Sequence, residues 1–486
     1  MAQALANMAY LYDSMGEKQQ ALTRYNQALP LFEEIGDRRW KATTLSNIGG
    51  FYLSLGDYNK SLHLLLQALP LIQEIGDRRI EALLLQNLGN IYIYLSNKPL
   101  ALDYLNQAQA LSRALKDRCA GFFALHNLGY VYDYLGSGQA EDRQKAFDYY
   151  NEALKLERAA GDKRWQAQTL FNLSQLYYHA GDTLKALNDI TEALRLSRAA
   201  GERGVEATIL HGFAFIERGR KNFTAARKYI ESALAITDSL RLKVASPEWR
   251  SSYFASVSEF YAFYIDLLMQ LHQMHPAESY GATALRVSEQ VHARSLLEIL
   301  DETSADICHG VDSVLVKREQ RLQHQINSKG ASRQRMLNSF HTEAQIIAAN
   351  QELETLLTQF QEVQSQIRAS SPRYAALTQP QPLGAKEIQT QVLDDETMLL
   401  EYSLGEERSF LWAVTPTTIN SFVLPKRTEI DSLARRVYNL LTARNQGLTN
   451  ETGKQKETRL ERASGAWFLA VARPTGSCNL FRPAPA

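Results

Sequence analysis

One stretch of about forty residues is copied along the first half of this chain. Its clearest marker is an asparagine that recurs at the same place in five copies: Asn7, Asn47, Asn87, Asn127 and Asn172. The spacing is 40 residues three times and then 45, because extra residues around 137–144 lengthen one turn. A fixed period of this length is the sequence sign of a repeat protein, in which similar units stack side by side.

Each copy predicts two amphipathic helices, because apolar residues recur at helical spacing on both sides of a central turn. Where the paired helices cross, only a small side chain lets the backbones approach closely, and the small residues are Ala9, Gly49, Gly89, Gly129, Ser174 and Ala214. Large residues of the second helix fill the remaining volume: Tyr25, Leu65, Leu105, Tyr150, Ile190 and Ile230. A single hairpin cannot bury its apolar face alone, so the hairpins must stack.

The copies are joined by a short motif, read as GDRR at Gly36–Arg39 and Gly76–Arg79 and as GDKR at Gly161–Arg164. Glycine suits the left-handed position that ends one helix, and aspartate suits the N-cap of the next. The arginines of the motif are expected to be solvated at the edge of the array.

These features resemble the tetratricopeptide repeat, whose pattern is a small residue, a tyrosine three residues on, then alanine, an aromatic and alanine. The resemblance covers Ala2–Leu240 and is closest to the longer variety with extended helices. The sixth copy departs from it, with Gly212 at the asparagine position and Glu217 at the tyrosine position. The implied fold is mainly α: an α-α superhelical solenoid over residues 1–245.

Two helical segments follow the repeats. Residues 246–310 predict a capping helical pair with an aromatic core stripe. Residues 311–380 predict a second pair, whose later helix has the a/d spacing of a coiled coil at Ile346, Ala349, Leu353, Leu356, Phe360, Val363 and Ile367. This pair can form an antiparallel hairpin within one chain, or it can self-associate with a second chain through residues 311–368; the sequence leaves both open.

The pattern changes to strands in residues 381–445, which predict a small, incomplete α/β segment. A short helix near 386–393 precedes three strands at Met398–Leu404, Phe410–Val414 and Ile419–Leu424, and a helix follows at 429–441. Residues 446–486 have no clear period and predict an irregular tail, either truncated or frame-shifted or else a natural disordered end.

Three stretches, ARSLLEIL (Ala293–Leu300), SPRYAALTQPQPL (Ser371–Leu383) and LLEYSLGEERSFLWAVT (Leu399–Thr415), resemble the front of a CHAT domain. This caspase-like module often follows tetratricopeptide repeats in bacteria. The resemblance covers Ser246–Arg444 and implies a cysteine peptidase whose histidine and cysteine lie in later motifs. Neither motif can be placed on this chain, so we expect a truncated, non-enzymatic form.

Composition excludes several classes of function. The 53 basic residues equal the 53 acidic ones, which argues against nucleic acid or an anionic membrane as the main partner. Three separated cysteines, Cys119, Cys308 and Cys478, exclude a disulfide framework and fit a cytoplasmic protein. Cys308 adjoins His309, but adjacent side chains point apart, so no catalytic pair is predicted. No motif for a metal or a cofactor is present.

The favoured function is therefore a scaffold that binds an extended peptide or protein segment. In stacked hairpins the first helices line the concave face, so the five asparagines form a ladder whose amides suit the main chain of a peptide. Tyr94, His126 and Tyr134 project onto the same face and complete the predicted site. The alternatives are a truncated or inactive CHAT-family peptidase and a structural oligomer.

Overall fold

The computed structural model describes residues 1–14, 18–54, 57–241, 247–302, 312–337, 343–371 and 383–442. The chain divides into two compact units. The first contains Met1–Val257 and Glu298–Gln379, and the second contains Ser258–Leu297 and Pro380–Ala486. The predicted repeats fall in the first unit and the predicted strands in the second.

The first unit opens with an uninterrupted series of helices, as the repeats predict. They are α1 (Ala2–Ser14), α2 (Lys18–Glu34), α3 (Arg38–Ser54), α4 (Tyr58–Ile75), α5 (Arg78–Tyr94), α6 (Lys98–Ala114), α7 (Arg118–Tyr134), α8 (Ala140–Ala160), α9 (Lys163–His179), α10 (Thr183–Ala199), α11 (Arg203–Gly219) and α12 (Phe223–Arg241). Each odd-numbered helix packs on the even-numbered helix that follows it, and each hairpin packs on the next. The mainly α, stacked-hairpin fold is thereby confirmed.

The first helices of neighbouring hairpins also contact one another, from α1 with α3 to α9 with α11. A first helix therefore touches its own partner, the preceding second helix and the next first helix. This arrangement brings the repeated positions of the first helices into one row, which is what the asparagine ladder requires.

The small residues of the repeats lie where the paired helices cross, as predicted. A Cβ atom added to Gly89 would lie 2.6 Å from Cγ of Leu105, and one added to Gly129 would lie 2.7 Å from Cδ1 of Tyr150. Both large partners are fully buried. Interiors are packed too densely to absorb such an overlap without a shift, so glycine is required at these crossings.

The joining motif forms the predicted caps. The Asp77 carboxylate accepts a hydrogen bond from the backbone N–H of Ile80 at the start of α5, and Asp117 does the same for Ala120 at the start of α7. Gly76 and Gly161 end the preceding helices in the left-handed conformation, with φ of 75° and 72°. The sequence and its local structure agree here residue by residue.

The arginines of the motif are exposed, as expected, but they also pair across repeats. The acidic partner of each arginine is the N-cap residue of the first helix in the next repeat. Arg39 pairs with Asp77 at 3.1 Å, Arg79 with Asp117 at 3.5 Å and Arg164 with Glu202 at 3.9 Å. Exposed pairs of this kind contribute about 0–1 kcal/mol each. Their regular placement ties each repeat edge to the following one.

Four longer helices follow: α13 (Pro247–Met274), α14 (Tyr280–Glu302), α15 (Ser313–Leu337) and α16 (Glu343–Ser370). Helices α15 and α16 run antiparallel, because Lys329 pairs with Glu352 while Gln364 bonds to Glu319. Their apolar seam is closed within one chain by Leu322, Ile326, Leu357, Phe360, Val363 and Ile367. Self-association through residues 311–368 stays a prediction.

The second unit contains the predicted small sheet. Strands β1 (Leu399–Ser403), β2 (Ser409–Val414) and β3 (Ile419–Leu424) are antiparallel in that order. The short helix Ala385–Glu387 and a π turn at Ile388–Val392 precede them, and the helix Arg427–Thr442 follows.

Polar contacts join this sheet to helices of the same unit. Arg408, beside β2, donates two hydrogen bonds to Asp266 of α13. Glu401 of β1 is buried and accepts from Ser288 of α14 at 2.9 Å, while the His292 ring nitrogen Nδ1 lies 2.8 Å away. The hydrogen bond to Glu401 raises the pKa of His292. Residues 446–486, with the predicted irregular tail and Cys478, lie outside the described residues.

Candidate functional site

The repeated asparagine begins a stripe of polar and aromatic residues along each first helix. Positions three and seven residues further on share its face, because such spacings bring helical side chains into line. The stripe members in α5 and α7 are Asn87, Asn90, Tyr94, Asn127, Tyr130 and Tyr134. Sequence reasoning missed Asn90 and Tyr130, although their spacing from the asparagine could have identified them.

Most of the predicted site residues lie at the surface. Asn7 is exposed, and Asn47, Asn87 and Asn127 are half-buried. Tyr94 and Tyr134 are exposed. Among the described residues, no side-chain hydrogen bond engages the amides of Asn47, Asn87 and Asn127.

The exposed tyrosines are held in stacked pairs. Tyr94 is 62% exposed and stacks on Tyr58 of the preceding hairpin, with ring centroids 4.8 Å apart. Tyr134 is 65% exposed and stacks on Tyr130, one turn earlier in α7, at 5.4 Å. The pairing fixes the orientation of rings that are otherwise free to rotate, and it leaves one face or edge of each ring for another molecule.

Two predicted site residues, His126 and Asn172, lie in the interior. They are only 6% and 8% exposed. The His126 ring nitrogen Nδ1 lies 2.8 Å from the Thr169 hydroxyl, and Asn172 Nδ2 lies 3.5 Å from Nε2 of the same ring. Their side chains therefore bond to neighbouring helices in this structure instead of projecting from the surface.

This buried polar network ends at two carboxyl groups. In one direction the Thr169 hydroxyl donates to Glu157 Oε1 at 2.8 Å. In the other, Asn172 Nδ2 donates to the Tyr150 hydroxyl at 3.2 Å, and that hydroxyl bonds to Asp133. One proton arrangement satisfies all of these hydrogen bonds. Asn172 Nδ2 donates to the Tyr150 hydroxyl and to Nε2 of His126, and a neutral His126 donates from Nδ1 to Thr169. The network thus joins α7, α8 and α9.

Burial shifts the pKa of each titratable group in the network. It raises the pKa of Glu157 from 4.5 to about 7, and it raises that of Asp133 from 3.8 to about 6. It lowers the pKa of His126 from 6.5 to about 4. Each shift favours the uncharged form, because a charge in a poorly solvated site is costly.

The ladder ends at the sixth copy for a steric reason. A Cβ atom at Gly212 would lie 2.4 Å from Cε2 of Phe171 and 2.8 Å from Nε2 of Gln175. These two side chains of α9 lie over the position where an asparagine of α11 would stand. The departure that the sequence shows at Gly212 is therefore a packing requirement.

Across the described ranges, no group of three or more His, Cys, Asp or Glu side chains is placed to hold a metal ion. None of the helices described there is both long and apolar enough to cross a bilayer. Cys308, His309 and Cys478 lie outside the described residues.

Comparison with known proteins supports the repeat assignment. The tetratricopeptide repeat family model matches residues 40–114, which cover helices α3 to α6, the second and third hairpins. No curated protein matches the chain.

Several solved structures are similar to this chain at low identity. BtubC from P. vanneervenii is 24% identical, with 41% of this chain and 80% of that chain covered and a TM-score of 0.37. Aspartyl phosphate phosphatase F from Bacillus subtilis is 16% identical, with 58% and 68% covered and a TM-score of 0.43. A Rap protein complexed with Competence and Sporulation Factor is 12% identical, with 71% and 87% covered and a TM-score of 0.41. At these values the similarity carries no functional conclusion. The family match and the stacked hairpins support the presence of tetratricopeptide repeats in this chain.

Proposed function

We propose that this chain is a non-enzymatic scaffold that binds an extended peptide or protein segment along its first helices. The observation that carries the proposal is the row of half-buried asparagines, Asn47, Asn87 and Asn127, at one repeated position. An amide offers two donors and an acceptor, which match the carbonyl and N–H groups of an extended main chain. The rings of Tyr94 and Tyr134 supply apolar contact beside them.

The two interior residues have a supporting role in this proposal. Asn172 and His126 hold α7 against α9 and so fix the spacing of the helices that carry Asn127. The outer residues make contact with the peptide, and the inner ones keep the row in register. Asn7 extends the row to the first hairpin.

The partner that fits this surface is a protein. The zero net charge of the chain gives no general attraction for nucleic acid or for an anionic membrane. We also propose a cytoplasmic location, for which the three separated cysteines are the support.

The double substitution Asn87→Ala with Asn127→Ala is expected to weaken peptide binding about tenfold or more, because two main-chain contacts are lost. Random peptides are first selected on the immobilised full chain, and the best is titrated against each variant by calorimetry. The matched control is Asn106→Ala, an exposed asparagine on the second helix of the same repeat. Circular dichroism checks that helicity is unchanged.

Equal affinity of the double variant and the Asn106→Ala control would contradict the role of the asparagine row. Failure to select any peptide that binds the full chain would contradict the scaffold function itself.

The alternative is a truncated or inactive form of a CHAT-family cysteine peptidase. Its support is the sequence resemblance over Ser246–Arg444, together with a sheet of the type that the resemblance implies. The coding DNA that follows residue 486 separates the two functions. A reading frame there that encodes the missing histidine and cysteine motifs would favour the peptidase, and the absence of such a frame would favour the scaffold.

A further inference from the structure

The conformation of the bound peptide can be inferred from the tyrosines of the site. Tyr94 and Tyr134 occupy the same position in successive repeats, 40 residues apart, and each is fixed by a parallel stack on another tyrosine. The angles between the ring planes are 8° for Tyr58 with Tyr94 and 5° for Tyr130 with Tyr134. Helices α5 and α7 thus present flat aromatic surfaces one repeat apart.

The interval follows from helix packing. Helices α5 and α7 contact each other directly, and packed helices lie about 8–10 Å apart. A peptide crossing them must present similar side chains to the protein at that interval.

A polyproline II helix meets this requirement. It advances about 3.1 Å per residue with three residues per turn, so the same face returns every three residues, or about 9 Å. In a β-strand, side chains on the same face recur every two residues, about 7 Å apart. That distance is shorter than the about 8–10 Å between packed helices, so a strand does not match the spacing of the rings. The repeat interval therefore favours polyproline II over an extended strand.

The polar groups of the stripe fit the same ligand. A polyproline II helix makes no internal hydrogen bonds, so its carbonyl groups are free to accept. Asn87 and Asn127 lie on the same stripe as the tyrosines and carry amide donors one repeat apart, and Asn90 adds a further amide one turn after Asn87. No member of the stripe in α5 or α7 is charged, so recognition does not call for a charged side chain on the peptide.

We propose that the stripe of α5 and α7 binds a neutral proline-rich segment in the polyproline II conformation, with proline at every third position seated on the tyrosine pairs. Proline is preorganised for this conformation and offers a flat apolar surface to the rings. This inference rests on the proposed peptide-binding function and names its ligand class.

The test uses the full chain and three neutral peptides of about fifteen residues, enough for several turns of such a helix. The first has proline at every third position, the second has the same composition in an order without that period, and the third has glycine in place of proline. Calorimetry is expected to show that the first binds at least tenfold more tightly than the others.

The substitution Tyr94→Ala with Tyr134→Ala is expected to weaken binding of the periodic peptide about thirtyfold, as is typical when two exposed aromatic contacts are removed. The control is Tyr438→Ala on the helix Arg427–Thr442, because Tyr438 is 66% exposed and so matches the other two tyrosines. Its affinity for the peptide is expected to equal that of the unchanged protein.

The outcomes separate this inference from the function on which it rests. Equal binding of the three peptides, or full affinity in the Tyr94/Tyr134 variant, overturns the polyproline proposal. If none of the three peptides binds while a selected peptide without proline binds through Asn87 and Asn127, the polyproline proposal fails and the scaffold function stands. If neither the designed nor any selected peptide binds, both fail.

Discussion

Replacing Glu157 by glutamine is expected to stabilise the repeat array at pH 8 by up to about 3 kcal/mol. The wild-type carboxyl has a pKa of about 7 in the folded protein and an ordinary value of 4.5. Between these values the folded state binds more protons than the unfolded state, so stability falls as pH rises from about 4.5 and the loss is complete above about 7. The difference between the two pKa values corresponds to about 3 kcal/mol.

The surroundings of Glu157 explain why glutamine should be tolerated. The side chain is fully buried and accepts one hydrogen bond, from Thr169, which the glutamine carbonyl can also accept. The charges that act on it are Asp162, which raises its pKa further, and Arg158, which lowers it. A neutral side chain of the same shape keeps the packing and removes the cost of the buried charge. The glutamine amide takes the place of Oε2, which has no hydrogen-bond partner among the described residues, and this offsets part of the gain.

The measurement is the denaturation midpoint in urea at pH values between 5 and 8. The control is Glu152→Gln, on the same helix, whose carboxylate is half exposed and pairs with Arg113 at 2.9 Å. At pH 5 the two variants should have similar stability, and at pH 8 only Glu157→Gln should exceed the wild type. Some pH dependence should remain, because Asp133 also has a raised pKa. If wild type and both variants respond to pH alike, Glu157 is not the buried acid described here.

The same network predicts the opposite behaviour in acid. His126 has a pKa lowered to about 4, so its neutral form is favoured in the folded state and stability falls as pH drops from about 6.5 toward 4. The two windows overlap between about pH 4.5 and 6.5, where the effects of Glu157 and His126 oppose each other, so stability should change less with pH there than either group alone would make it.

The repeat architecture could be predicted from the sequence because its determinants are local and periodic. The crossing of two helices is specified by Gly89 and Leu105, and the boundary between two helices by Gly76 and Asp77. The same kinds of residue recur at the same positions from unit to unit. The three strands and the helix after them were predictable for a similar reason, since their alternation of apolar residues is contained in short segments.

The candidate site was only partly predictable, because burial depends on neighbours from other repeats. Asn127 and Asn172 occupy the same repeat position, yet Asn127 is half-buried and Asn172 is buried. The difference arises from Tyr150 and His126, which provide hydrogen-bond partners for Asn172 alone. A single-unit pattern carries no information about such cross-repeat partners, and Gly212 under Phe171 is a second case.

Substituting Gly129 by alanine is expected to destabilise the array by about 2 kcal/mol, whereas alanine at Gly121 of the same helix should stabilise it slightly. The added Cβ at position 129 would lie 2.7 Å from Cδ1 and 2.8 Å from Cε1 of Tyr150. The ring is rigid and fully buried, and its hydroxyl bonds to Asn172, so it cannot turn away cheaply. Overpacking of this kind costs about 1–3 kcal/mol.

Gly121 provides a control within α7, because a Cβ there meets only Cδ1 of Leu156, at an ordinary 3.8 Å. Alanine is favoured over glycine inside a helix by about 0.5–1 kcal/mol, and that gain is common to both substitutions. Because that gain cancels, the two variants should differ by the overpacking cost alone, about 2–3 kcal/mol in urea denaturation at one pH. Equal stability of the two variants would mean that the Tyr150 ring can move aside at little cost. In that case the close contact between Gly129 of α7 and Tyr150 of α8 does not fix the position of these helices or the register of the asparagine row.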